Sequence, residues 1–117
     1  MDTVSITIGA GYIFGGLVCF GLALPMALGK VPRNKLYGAR FPESLKSDQA
    51  WDAINRFGGK RMIPWSLLLI AIGGIAMFLR LQAHPRAMWV MGIAPILFVL
   101  IPVVETWRFA RRFGRGI

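Results

Sequence analysis

The chain has 117 residues, 56% of them hydrophobic and 16% charged, and it carries a net charge of +9 with a single cysteine. More than half of its positions lie in three uncharged stretches, which leaves too little polar surface to solvate a globule and excludes an ordinary soluble domain. The basic excess flanks those stretches rather than forming one patch with interleaved aromatics, so nucleic-acid binding is excluded as well.

The first uncharged stretch runs from residue 3 to 29, about 40 Å of helix against a hydrocarbon core of about 30 Å. The preceding residues lack a basic region, and the stretch exceeds a signal-peptide core, so it reads as a retained membrane span. Gly11, Gly15, Cys19, Ala23 and Ala27 recur every four residues and are expected to form a small-residue stripe. Such a stripe lets a second backbone come close, either within this chain or in a homo-oligomer. Cys19 is the chain's single cysteine and lies mid-span, which rules out an intrachain disulfide and makes thiolate metal ligation implausible.

Residues 30–61 form a basic loop. Pro32 presets a turn, Gly38 can take a left-handed conformation and Pro42 forces Phe41 to be extended. Ser44 or Ser47 can cap a short helix with early acids Asp48 and Asp52 and late bases Arg56 and Lys60. On it Trp51, Ile54, Asn55 and Gly58 share a face, so the expectation is an amphipathic helix lying flat on the membrane, with Trp51 at headgroup depth and Gly58-Gly59 ending it. Lys30, Arg33, Lys35, Arg40, Lys60 and Arg61 bracket this unit and are candidates for contact with anionic lipid headgroups.

A second span covers 62–79, with Pro64 expected in its first turn, where a proline costs little. The connection 80–86 holds His84 beside Pro85, which reads as a turn residue. The third span, 87–104, carries Pro95 and Pro102; together with Pro25 these free the carbonyls of Met91, Phe98 and Gly21, each of which needs a donor in lipid. Glu105, at the edge of that span, is a candidate ionisable site expected to pair with Arg108 or reach back to Arg40. Residues 105–117 form a basic tail.

Eight cations lie between Lys30 and Arg61 and four in the tail, against only Arg80 and Arg86 in the second connection. The positive-inside rule then places the loop and C-terminus in the cytoplasm and the N-terminus outside. The fold class expected is an all-α integral membrane protein of three transmembrane helices with a structured cytoplasmic loop. No metal site, cofactor motif, phosphate loop or nucleophile and base pair is visible, so no cofactor and no enzyme activity are expected.

Within the loop, Pro32 and Asn34, then Tyr37, Gly38, Arg40 and Pro42, then Ser44, then Trp51, Asn55 and Gly59, make a ten-position pattern over 28 residues. This pattern resembles the signature of the SdpI family of small bacterial membrane proteins, named for an immunity protein against a secreted membrane-active toxin. Phe41 departs from it, standing where the family often has Thr, and the chain lacks the additional membrane domain of the larger immunity protein. The resemblance implies a multi-pass protein of the bacterial plasma membrane, and a non-enzymatic role in immunity or resistance to a peptide toxin or envelope stress. A membrane tether that holds a cytosolic regulatory protein through the basic loop is the alternative, and a small oligomeric transporter using Glu105 the second. Asn34, Arg40 and Asn55 are expected either to bond within the loop and hold Trp51 in place or to recognise a headgroup or anionic partner.

Overall fold

A computed structural model describes residues 2–115. It contains three α-helices, α1 (Thr3–Ala27), α2 (Asp48–Ala76) and α3 (Pro85–Arg115), with a single 3-10 turn at Leu81–Ala83, and no strand among the described residues. All three helices are long and apolar enough to cross a membrane. The bundle measures 54 × 23 × 21 Å.

Each boundary has a local cause. The Asp2 carboxylate accepts the Ser5 amide at 2.7 Å and caps α1, and hydrogen bonds from Ser5, hydroxyl and amide, hold that carboxyl below its ordinary range. At the far end Gly29 takes φ +70°, while Lys30 N–H bonds to Pro25 O at 2.9 Å and Gly29 N–H to Met26 O at 3.1 Å. That is the Schellman arrangement, which satisfies two orphan carbonyls and turns the chain out of the helix. Ser47, one of the two expected caps, accepts the Ala50 amide at 3.0 Å and starts α2.

The seam between α1 and α2 is made of small residues, but not those at intervals of four. A Cβ on Gly9 would lie 2.6 Å from Gly73 O, one on Gly16 2.8 Å from Ser66 O, and one on Gly59 2.6 Å from Ala23 O. Gly9, Gly16 and Ala23 therefore face Gly73, Ser66 and Gly59 in antiparallel register, one heptad apart on both helices. The expected stripe is corrected: Ala23 and Ala27 are buried, whereas Gly11 is exposed and an added Cβ at Gly11 or Gly15 meets nothing within 4 Å. Four residues turn the helix about 40° past a full circle, so a four-residue stripe winds off the interface, while seven fall about 20° short of two turns and stay on it.

Three further expectations change. The Gly58-Gly59 pair does not end a helix, because α2 runs unbroken from Asp48 to Ala76, and the separate amphipathic interfacial helix is instead the first part of α2. Both glycines sit where another helix presses: Gly59 on α1, and Gly58 with Thr106 of α3 3.1 Å from where its Cβ would be. Packing outweighs the roughly 1 kcal/mol helical penalty of each. Pro64 consequently lies deep inside α2, not in a first turn. The segment after Glu105 is helical through Arg115 rather than a separate tail.

α3 lies against this pair more lightly, with Pro102, Thr106 and Ala110 as its buried residues among those described. Phe57 stacks on Phe109 at 4.2 Å, and Trp65 meets Phe98 at 5.6 Å. The Tyr12 hydroxyl donates to Met91 O, the carbonyl that Pro95 leaves without its helical amide. Tyr12→Phe is therefore expected to cost about 1 kcal/mol of unfolding free energy in detergent, within the range of bonds between membrane helices. The same change in a Pro95→Ala background should cost almost nothing, since the helix amide then serves that carbonyl; equal costs in the two backgrounds would break the link.

Candidate functional site

The loop between α1 and α2 folds onto the first turns of α2 through bonds among its own signature residues. Asn34 forms an Asx turn: its Oδ1 accepts the amides of Leu36 at 2.8 Å and Tyr37 at 2.9 Å, and its Nδ2 donates to Pro32 O at 2.7 Å. Arg40 donates from its guanidinium to Asn34 O. The Ser44 hydroxyl, fully buried, lies 2.7 Å from Ala39 O and 2.8 Å from Phe41 O.

Trp51 and Asn55, one turn apart on α2, receive this loop. Trp51 is 2% exposed, and its indole N–H donates to Val31 O at 2.9 Å. Asn55 accepts the Ala39 amide at 2.8 Å and donates to Trp51 O at 2.9 Å. Gly38, at φ +128°, crosses directly over them, where a Cβ would stand 2.8 Å from both the Asn55 Oδ1 and the Trp51 ring. The predicted face of Trp51, Ile54, Asn55 and Gly58 is buried, but its partner is this chain's own loop and helices. Trp51 is thus a hydrogen-bonded core residue and not a headgroup anchor, because a large ring with one donor is best satisfied where a carbonyl and a close backbone meet it.

Beneath the loop lies an apolar cleft of about 450 Å³, roofed by Tyr37 to Phe41 and walled by Leu22 and Met26 of α1, Met62 of α2 and Val103 of α3. Arg40 stands at its edge, exposed. The buried lower half of the small-residue stripe, Ala23, and half-buried Cys19 belong to the same wall.

The remaining cations divide. Lys30, Lys35 and Lys60 are exposed; Arg33 sits 3.3 Å from Asp48 and donates to Leu45 O at 3.1 Å. Arg56 pairs with Asp52 at 2.9 Å and lies over Gly29. Arg61 pairs with Glu105, so Glu105 takes a partner from α2 rather than Arg108 or Arg40. Sequence reasoning missed this pair because the partners are 44 residues apart and only the α2–α3 packing brings them together. A second tertiary pair, Arg111 with Glu43 at 4.0 Å, was missed for the same reason.

This architecture, three apolar helices with a cation-rich loop end, is that of a multi-pass integral membrane protein. The chain belongs to the SdpI/YfhL protein family, whose model matches residues 30–106 and so takes in the loop, α2 and most of α3. No curated protein and no solved structure matches it.

Proposed function

We propose that this chain is a non-enzymatic SdpI-type immunity or resistance protein of the bacterial plasma membrane, guarding against a membrane-active peptide or envelope stress. The observation that carries this reading is the clamped loop over the apolar cleft. Asn34, Ser44, Trp51 and Asn55 direct their polar groups at the loop's own backbone, which suits a part that holds shape rather than one that reacts. The shape so held roofs an apolar recess between α1 and α3, where an apolar side chain of a membrane-active peptide fits.

The loop and the C-terminal end of α3 share one end of the bundle, joined by Glu43 and Arg111, while Asp2 and Gln82 meet at the other. Twelve of the fourteen Lys and Arg residues gather at the first end, which supports a cytoplasmic loop and an external N-terminus.

Deleting the gene is expected to raise sensitivity to some membrane-active peptides in a panel at least several-fold, with restoration by the wild type. Ala39→Phe, which fills the cleft from its roof, should restore at most weakly while still reaching the membrane in normal amount. A deletion strain as resistant as its parent to every peptide would defeat the proposal. The second reading, a tether for a cytosolic regulator, draws on the exposed cations Lys30, Lys35, Arg40 and Lys46. Photocrosslinking from positions 40 and 46 distinguishes it, since only the tether gives one defined soluble adduct.

A further inference from the structure

Arg108, Arg111, Arg112 and Arg115 lie beyond the residues that the family model matches. Because α3 stays helical through Arg115, these four stand at positions i, i+3, i+4 and i+7 and share one face. The opposite face is docked: Ala110 is fully buried and Phe109 stacks on Phe57. Like charges one turn apart repel, so an anion seated among four of them on one side is favoured. A topogenic signal requires only the charge, not the alignment.

The loop completes the surroundings. Lys46 and Glu43 face the arginines across a hollow of about 600 Å³, with Trp107 in its wall. Glu43 lies against α3 in the room that Gly114 leaves, where a Cβ would fall 2.7 Å from its Cγ. One of its oxygens reaches Arg111 at 4.0 Å and the other is buried without a hydrogen-bond partner among the described residues. One carboxylate thus stands among five cations. The Arg111 guanidinium also rests 5.1 Å over the Trp107 ring, which fixes its direction.

We propose that this hollow binds a headgroup carrying two phosphates, and that the ligand is a bisphosphate membrane lipid. Arg108 with Arg112 and Arg111 with Arg115 each form a one-turn pair, and guanidinium engages phosphate oxygens in a two-pronged manner. Two phosphates joined by a short bridge match two such pairs better than one phosphate does. The lipid source follows from depth: α3 has 31 residues, about 46 Å of helix, so its basic end emerges from a core of about 30 Å at the headgroup layer. Trp107 sits directly before the first of these arginines, at the level an indole prefers. The site is independent of the immunity reading.

Native mass spectrometry of the detergent-solubilised full chain tests the assignment, with cardiolipin, phosphatidylglycerol and inorganic pyrophosphate as probes. The expected result is one cardiolipin bound at least tenfold more tightly than phosphatidylglycerol, with pyrophosphate competing only at far higher concentration. Arg108→Gln with Arg112→Gln should weaken it at least tenfold, and Lys30→Gln with Lys35→Gln should leave it unchanged. Glu43→Gln should tighten it several-fold by removing the carboxylate that competes for Arg111, a gain that a damaged fold does not produce. Equal affinity for the two lipids, or no effect of the arginine changes, would reduce the stripe to a topological anchor and overturn the proposal. Pyrophosphate binding as tightly as cardiolipin would overturn the lipid assignment in favour of a soluble phosphate ligand.

Discussion

Replacing Gly59 by alanine is expected to lower the unfolding free energy by about 3 kcal/mol, the upper end of the cost of overpacking a well-fitted interior. The new methyl would lie 2.4 Å from Ala27 N and 2.6 Å from Ala23 O. Both are backbone atoms of α1, so no rotamer change relieves the contact and the helices themselves must part. The gain in helix propensity, about 1 kcal/mol, offsets only part of this. Gly11→Ala and Gly15→Ala meet open space, and should be neutral or slightly stabilising. Steric-trap unfolding in bicelles gives the comparison directly, and similar values for positions 59 and 11 would refute the seam described above.

Trp51→Ala should be the most damaging change in the loop region, at about 3 to 5 kcal/mol for a buried aromatic. It removes the ring against which Gly38 lies and leaves Val31 O without its donor. Trp51→Phe keeps most of the packing and loses the hydrogen bond, for about 1 kcal/mol. Asn55→Ala strands the Ala39 amide, which costs about 1 to 3 kcal/mol. These changes predict a graded release of the loop, read as faster tryptic cleavage after Lys35 and Arg40 in the order alanine at 51, alanine at 55, phenylalanine at 51. Unchanged cleavage in all three would mean that something other than Trp51 and Asn55 holds the loop.

The three spanning helices were legible because uncharged length is a local property, and so was the signature, whose residues Pro32 to Gly59 follow one another closely along the chain. The face shared by Trp51, Ile54, Asn55 and Gly58 was likewise correct as a helical face. What covers it was not, since an amphipathic stripe reads the same whether its partner is lipid or the protein's own loop. Gly58 and Gly59 look like a helix stop in isolation; only the approach of Ala23, Ala27 and Thr106 shows why they are glycine. The Arg61–Glu105 pair depended in the same way on how α2 meets α3. The carbonyl freed by Pro95 did announce its need for a donor, but not that Tyr12 would supply it.

The matching heptads of Gly9, Gly16, Ala23 and Gly59, Ser66, Gly73 bring backbone close to backbone along the middle of α1 and the latter part of α2. Because small residues let the two helices close this tightly, with Tyr12, Ile70 and Met77 packed against the seam, they form a stiff plank. α3, attached by aromatic stacks, one tyrosine bond and one ion pair, is the leaf hung on it. While the loop stays clamped, a change in the width of the recess beneath it is expected to come from a swing of that leaf, and its two internal prolines are where bending costs least.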